Sequence, residues 1–131
     1  MGTRLNLIPR IPRLWERGLD ADMKLQKIIK QSTAVKIQIL EGTRKVGRAS
    51  LYLIYNDLHK RPYGLMEDVF VNESLRGQGL GTKLVLEIIK QAKKYKCYKL
   101  IATSRMARSK VHKLYQRFGF KKHGIEFRID F

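Results

Sequence analysis

The chain has 131 residues, of which 44% are hydrophobic and 30% charged, and its formal net charge is +17. This length suits one domain with its own hydrophobic core, and the composition is typical of a globular protein rather than a membrane-spanning or disordered one. One cysteine and three scattered histidines exclude an internal disulfide and offer no zinc-ligand spacing, so we expect no metal.

Residues 1–22 are predicted to form a basic N-terminal arm, because Pro9 and Pro12 interrupt regular structure and four arginines are spread through the segment. The same prolines and arginines break residues 5–15, which therefore lack the apolar core of a signal peptide. A single cysteine is typical of a reducing compartment. We therefore expect a cytoplasmic protein that does not enter a membrane.

Residues 23–131 are predicted to form the domain. The pattern predicts a short helix over residues 23–30, for which Asp22 is a candidate cap. Apolar residues alternate with polar ones in residues 34–40, and a turn leads to a return strand over residues 46–55. These two strands form a predicted hairpin.

The remaining elements predict a mixed α/β fold. Tyr63–Val71 is apolar on both sides near its end, as a central strand should be. A helix, a short strand, a second helix and a final strand follow, over residues 80–95, 98–103, 107–118 and 125–131. The sheet is predicted to be mostly antiparallel, with a parallel strand-helix-strand core. The final strand could pair with a neighbouring copy, so a homodimer is possible.

The positive charge is concentrated in the C-terminal half. Residues 88–125 contain twelve basic residues and no acidic one. Such a field attracts anions, and a phosphorylated cofactor, an acidic substrate and nucleic acid all fit it. Much of the excess also fits an ordinary solvated surface. Aromatic residues are not regularly interleaved with the lysines, so nucleic acid is possible but not favoured.

A glycine-rich run joins the third strand to the following helix. Glycines let backbone amides approach a ligand, and a helix N-terminus adds unpaired N–H groups and partial positive charge, which suits a phosphate. The run lacks the Gly-Lys-Ser/Thr ending of a P-loop, and Cys97 stands where a dinucleotide fold needs an acid. The remaining pattern is R-x-x-G-x-G. The run reads Arg76-Gly77-Gln78-Gly79-Leu80-Gly81-Thr82.

This run, with a strand before it and a helix after it, resembles the acetyl-CoA loop of the GNAT superfamily of N-acetyltransferases. A second segment, Leu114-Tyr115-Gln116-Arg117-Phe118-Gly119-Phe120, resembles the tyrosine-helix-Gly-Phe ending of the same enzymes. With Met66-Glu67-Asp68-Val69 and Cys97-Tyr98-Lys99-Leu100, these segments are most similar to the glucosamine-6-phosphate N-acetyltransferases. The resemblance implies an acetyltransferase fold with a shortened N-terminal part.

The resemblance also implies an activity and a set of site residues. The activity is direct transfer of an acetyl group from acetyl-CoA to a primary amine in a ternary complex. In the family the tyrosine, here Tyr115, stabilises or protonates the departing thiolate, which is a general-acid role. Backbone amides of the strand receive the acetyl carbonyl, and those of the loop hold the pyrophosphate, with Arg76 shaping or contacting the loop. These amides would belong to Val69, Phe70 and Val71, and to Gly77, Gln78, Gly79, Leu80, Gly81 and Thr82.

Acyl transfer also requires a neutral amine, and because amines are protonated near neutral pH, a base is needed. Glu67 and Asp68 form the only adjacent acid pair of the chain and lie on the strand that leads into the loop. Neighbouring strand residues face opposite sides, so at most one of them is predicted to point into a given cleft. We assign Glu67 as the base, acting through water, and Asp68 as an amine-positioning or structural partner, although either could be the base.

A second class of function is also compatible with the sequence. It is a non-catalytic module with an acetyltransferase-like fold that binds CoA or nucleic acid. Glu67 and Tyr115 favour the enzyme, whereas the short front of the fold and the charge favour the module. The acceptor could be an aminosugar phosphate, another small amine or a protein amine.

Overall fold

The computed structural model of the chain describes residues 22–131. The predicted basic arm, residues 1–22, therefore lies outside the described residues except for its last position. The chain divides into two units, Met1–Gln31 and Ser32–Phe131. Every helix and strand among the described residues belongs to the second unit.

Four strands form one mixed sheet in the order β1-β2-β3-β4. Strands β1 (Ala34–Glu41), β2 (Arg44–Ile54) and β3 (Tyr63–Val71) are antiparallel neighbours. Strand β4 (Leu100–Ala102) pairs with β3 in parallel. The predicted hairpin and the mostly antiparallel sheet are confirmed.

Two α-helices follow the third strand. Helix α1 (Leu80–Lys94) connects β3 to β4, so the predicted parallel crossover is confirmed, and a 3-10 turn (Glu73–Leu75) precedes it. Helix α2 (Ser109–Arg117) ends at Gly119, whose φ of 99° is the left-handed conformation that glycine adopts without strain after a helix. Tyr115 therefore lies in the last turn of α2.

The hydrophobic core lies between α1 and one face of the sheet. The apolar residues of α1 recur at helical spacing, which places them on one side of the helix. Strand β2 contributes Ala49, Leu51 and Leu53 to the same cluster. The largest fully buried side chains are Leu51, Leu84, Val85 and Ile88. This packing fixes the position of the N-terminus of α1 against β3.

Two leucines of α1 provide a matched test of this packing. Leu84 is 1% exposed and Leu86 is 50% exposed. We expect Leu84→Ala to lower the free energy of unfolding by about 2–5 kcal/mol, because it leaves a cavity in the core. Leu86→Ala should change the free energy of unfolding by no more than about 0.5 kcal/mol. Urea denaturation of both variants measures the difference, and equal losses would contradict the assigned buried face.

The prediction of a helix over residues 23–30 is wrong. Residues 23–33 have no regular secondary structure, and the apolar side chains of Met23, Leu25, Ile28 and Ile29 are exposed. A helix this short is marginal in water unless it buries an apolar face. No such face is buried within this described segment.

The prediction of a final strand over residues 125–131 is also wrong. Residues 120–131 have no regular structure, and Ile125, Phe127 and Ile129 are exposed. Alternation favours a strand only where a neighbouring strand completes its hydrogen bonds, and β4 is not extended by this segment. The homodimer suggested by this segment stays a prediction. Within residues 22–131, no helix has the length and apolar character that crossing a bilayer requires.

Candidate functional site

The glycine-rich run connects the C-terminal end of β3 to the first turn of α1. Gly77 and Gly79 have φ values of 83° and 81°, a left-handed conformation that strains a residue with a Cβ. A Cβ added to either glycine would meet nothing within 4 Å. Backbone conformation, rather than close packing, therefore requires glycine at these two positions.

The start of α1 offers free backbone donors. Its first hydrogen bond runs from the Lys83 N–H to the Gly79 carbonyl, at 3.1 Å. The N–H groups of Leu80, Gly81 and Thr82 precede this bond and have no carbonyl one turn earlier to which they could donate. Among the described residues, no side chain caps this helix and no acidic residue lies in its first turn. The loop therefore fits a phosphate or pyrophosphate group.

Arg76 shapes the beginning of this loop. Its Nε donates a hydrogen bond of 3.0 Å to the carbonyl oxygen of Val71, the last residue of β3. Its guanidinium carbon lies 5.5 Å from the centroid of the Phe70 ring, within range of a cation–π contact. Of the two roles predicted for Arg76, shaping the loop is the one visible in these contacts.

Strands β3 and β4 are paired over a short distance. The ladder joins Gly64, Leu65 and Met66 to β4 and extends no further, although β3 continues to Val71. Beyond Met66, the edge of β3 that faces away from β2 has no partner strand among residues 22–131. A cleft with one wall of free backbone groups results.

Two amides of β3 are directed toward this cleft. The Asn72 N–H donates to the Val46 carbonyl on β2, at 2.8 Å. Because successive amides of a strand point to opposite sides, the Phe70 N–H is directed to β2 as well, and those of Val69 and Val71 point away from it. The Val71 carbonyl that binds Arg76 lies on this second side. Of the three amides predicted to receive the acetyl carbonyl, Val69 and Val71 have the suitable direction.

A β-bulge lies in β3 at the predicted acid pair. The register pairs Ser50 with Glu67 but Arg48 with Phe70, so β3 contains one extra residue between these pairs. Asp68 has a φ of 55°, a left-handed conformation that aspartate tolerates better than most residues. The bulge resets the alternation of side chains along the strand.

Because of the bulge, both carboxylate residues line one open depression of about 550 Å³. The prediction that at most one of them could point into a given cleft is wrong, since that rule assumes a regular strand. Glu67 and Asp68 share this depression with Ser32, Tyr52, Ile54 and Leu65. Its lining combines carboxylates, hydroxyls and aliphatic groups.

Asp68 is held by an arginine of β2. Arg48 donates from Nε to Oδ2 at 2.7 Å and from Nη2 to Oδ1 at 3.2 Å. The hydrogen bond from Arg48 is the main cause that lowers the pKa of Asp68 below its ordinary value. A carboxylate that is paired in this way is a weak proton acceptor. The geometry therefore favours a structural role for Asp68 over that of a base.

Glu67 differs from Asp68 in its contacts. It has no hydrogen bond or ion pair with another residue in the described range 22–131. Its charge acts on Tyr115, whose pKa is raised above its ordinary value mainly by burial. Arg108 lowers this pKa and Glu67 raises it, both by smaller amounts. The carboxylate and the phenol therefore lie within electrostatic range of each other.

Tyr115 is half-buried at the end of α2. It packs against the core cluster, and its ring lies 5.5 Å from that of Phe120, centroid to centroid. The Phe120 N–H donates to the Tyr115 carbonyl at 3.1 Å, which ties the Gly-Phe ending back onto the helix. A raised pKa keeps the phenol protonated at neutral pH, as a proton donor requires.

Sequence reasoning missed Arg48 and the side chain of Phe70. The Arg48 guanidinium carbon lies 4.6 Å from the Phe70 ring centroid, and Arg76 approaches the same ring. Arg48 is separated from Asp68 by twenty positions in the sequence. The hairpin pattern could have placed Arg48 near the acid pair, but only the register across the bulge pairs it with Asp68.

A family comparison matches most of the chain. The sequence model of the acetyltransferase (GNAT) family matches residues 7–120. The chain is 36% identical over 70 residues to the glucosamine 6-phosphate N-acetyltransferase of Trypanosoma brucei brucei, a match that covers 53% of this chain and 46% of that protein. The chain spans less than half the length of the curated relatives it matches.

Solved structures show the same architecture. The crystal structure of an acetyltransferase from Trypanosoma brucei superposes with a TM-score of 0.68 at 32% identity, covering 75% of this chain and 69% of that one. Glucosamine-6-phosphate N-acetyltransferase from Arabidopsis thaliana superposes with a TM-score of 0.67, covering 98% and 85% of the two chains. At 22% identity, this second likeness concerns the fold alone.

Proposed function

Because the chain belongs to the acetyltransferase (GNAT) family, we propose that it transfers an acetyl group from acetyl-CoA to a primary amine. The observation that carries the proposal is the position of the glycine loop, at the end of β3 where that strand parts from β4. The loop amides suit the pyrophosphate, and the free edge of β3 leads from the loop to Glu67. Binding groups and acid–base groups are thus placed along one strand.

The residues that would hold the cofactor are those of the loop. The amides of Leu80, Gly81 and Thr82 would bind the pyrophosphate at the positive end of α1. Left-handed Gly77 and Gly79 keep side chains away from this surface. When bound, acetyl-CoA supplies an acetyl group activated as a thioester.

The acid–base groups of the chain would manage the protons. Glu67 would accept a proton from the ammonium form of the acceptor, through water, because its carboxylate has no partner among the described residues. The phenol oxygen of Tyr115 would hold a proton and release it to the leaving thiolate. The amides of Val69 and Val71 would stabilise negative charge on the carbonyl oxygen of the acetyl group.

The acceptor in this proposal is a small primary amine, and an aminosugar phosphate is the first to test. Relatives that match this chain are named glucosamine 6-phosphate N-acetyltransferases. The depression beside Glu67 has the volume and polar lining of a small-molecule site. Direct transfer in a ternary complex fits the absence of a suitable nucleophile near Glu67, since Cys97 packs against the core cluster and burial raises the pKa of its thiol.

Thermal unfolding with CoA, with acetyl-CoA and without ligand tests the cofactor. A ligand that binds only the folded protein at 100 times its Kd stabilises it by about 2.7 kcal/mol, so the melting temperature should rise clearly. An unchanged melting temperature at saturating acetyl-CoA would refute cofactor binding. A panel of amines assayed by thiol release then identifies the acceptor, and cofactor binding without turnover on any amine would support the non-catalytic module instead.

A further inference from the structure

Arg48 occupies a position from which it can control the shape of β3. It lies on β2 opposite Phe70, directly beside the register shift. Its guanidinium donates two hydrogen bonds to Asp68, the left-handed residue of the bulge, and covers the Phe70 ring at 4.6 Å. Arg48 therefore contacts β3 on both sides of the extra residue, one contact by charge and the other by stacking.

Resting on the function proposed above, we propose that Arg48 is a positioning residue that holds β3 in the bulge and thereby directs Glu67 into the acceptor depression. Arg48 does not line this depression. It acts through the backbone of Asp68 and leaves Glu67 as the group that meets the amine.

The backbone of Asp68 explains why such a holder is needed. A left-handed φ of 55° is unfavourable for a residue with a Cβ, so a regular strand competes with the bulge. In a regular strand Glu67 and Asp68 would face opposite sides of the sheet. The two-point contact with Arg48 can form only when the carboxylate is turned toward β2. The ion pair is exposed, with side-chain exposures of 43% and 53%, so it contributes more to local geometry than to global stability.

The Phe70 ring fixes the guanidinium in turn. Arg48 and Arg76 both lie within cation–π range of this ring. Arg76 is itself anchored on the Val71 carbonyl at 3.0 Å. Because Arg76 keeps that bond when Arg48 is replaced, loss of Arg48 should affect the position of Glu67 more than the cofactor loop.

Arg48→Met removes the charge and keeps an aliphatic side chain that can cover Phe70. We expect kcat to fall about 10- to 100-fold, because misplacing a catalytic group by about 1 Å has effects of this size. The KM for acetyl-CoA should change by less than about threefold, since the loop contacts persist. The control is Arg44→Met, which removes an arginine of the same strand whose only ion pair among the described residues is a 4.0 Å contact with Glu41. It should leave kcat unchanged.

A glycine at position 68 separates positioning from direct action on the substrate. Glycine adopts the left-handed conformation without a holder, so Asp68→Gly should be at least about fivefold more active than Asp68→Ala. In the Asp68→Gly background, Arg48→Met should reduce kcat by less than about twofold further. A loss in that background as large as in the native one would overturn the proposal, because Arg48 would then act on the substrate or the chemistry itself.

A structural readout keeps this test independent of the proposed function. Cross-strand NMR contacts between Ser50 and Glu67 report the register of β2 and β3. They should weaken in Arg48→Met and return when Asp68→Gly is added. Native register in Arg48→Met alone would refute the proposal even for a protein that acetylates no amine. An altered register in a protein without turnover would sustain the positioning role while the proposed function fails.

Discussion

Replacing Tyr115 by phenylalanine is expected to lower kcat by about 10²- to 10⁴-fold, the usual size of a general-acid contribution. The ring still fills its place against Phe120, so the fold and the affinity for CoA should persist. Calorimetric Kd values for CoA and steady-state kcat measure the two effects separately. Tyr95→Phe is the matched control, since it removes the hydroxyl of an exposed tyrosine at the end of α1. Equal kcat in Tyr115→Phe and the native protein would remove Tyr115 as the acid.

The raised pKa of Tyr115 gives this prediction a pH dependence. Burial is the largest cause, and the phenol stays protonated beyond its ordinary pKa of about 10. The acid form is the active one, so a decline of kcat due to Tyr115 should occur only above about pH 10. The folded state also binds this proton more tightly than the unfolded state. The resulting stabilisation is present below the unfolded pKa and is lost as the pH rises through the folded pKa. Tyr115→Phe should abolish both effects.

The sequence predicted the elements that bury a regular apolar face. The strands β1 and β2 alternate at period two, and α1 repeats at helical spacing, so each element has one face that must pack. The predicted helix over residues 23–30 and the strand over 125–131 have similar local patterns, but neither packs on the core cluster. A local pattern describes which face an element could bury. It does not show that another element is available to cover that face.

The candidate site was predicted in its backbone features and missed in its side-chain arrangement. The glycine spacing identified the loop because left-handed φ values at Gly77 and Gly79 demand that residue type. No comparable signal marked the bulge, since aspartate at position 68 also suits an ordinary surface position. The alternation rule therefore separated Glu67 from Asp68, and the structure brings them together. Arg48 became part of the site only through that same irregularity.

Gly81 offers the sharpest test of the cofactor loop, because stability and binding should move in opposite directions. Its φ is not left-handed, and a Cβ added there would lie 4.0 Å from Val71 Cγ2, an ordinary contact. Within a helix, alanine is more favourable than glycine by up to about 1 kcal/mol. Gly81→Ala should therefore fold as well as the native protein or melt at a higher temperature.

Cofactor affinity should nevertheless fall in Gly81→Ala. The Cα–Cβ bond of a helical residue tilts toward the helix N-terminus, so the added methyl group would project over the free amides of the first turn. Losing one hydrogen bond to a charged phosphate costs about 1.5–3 kcal/mol, which corresponds to a Kd for acetyl-CoA raised about 10- to 100-fold. Gly124→Ala, at an open position outside the loop, is the matched control and should leave that Kd unchanged. An unaltered Kd in Gly81→Ala would mean that the pyrophosphate does not lie on these amides, whereas weaker binding in a more stable protein has no structural explanation other than obstruction of the loop.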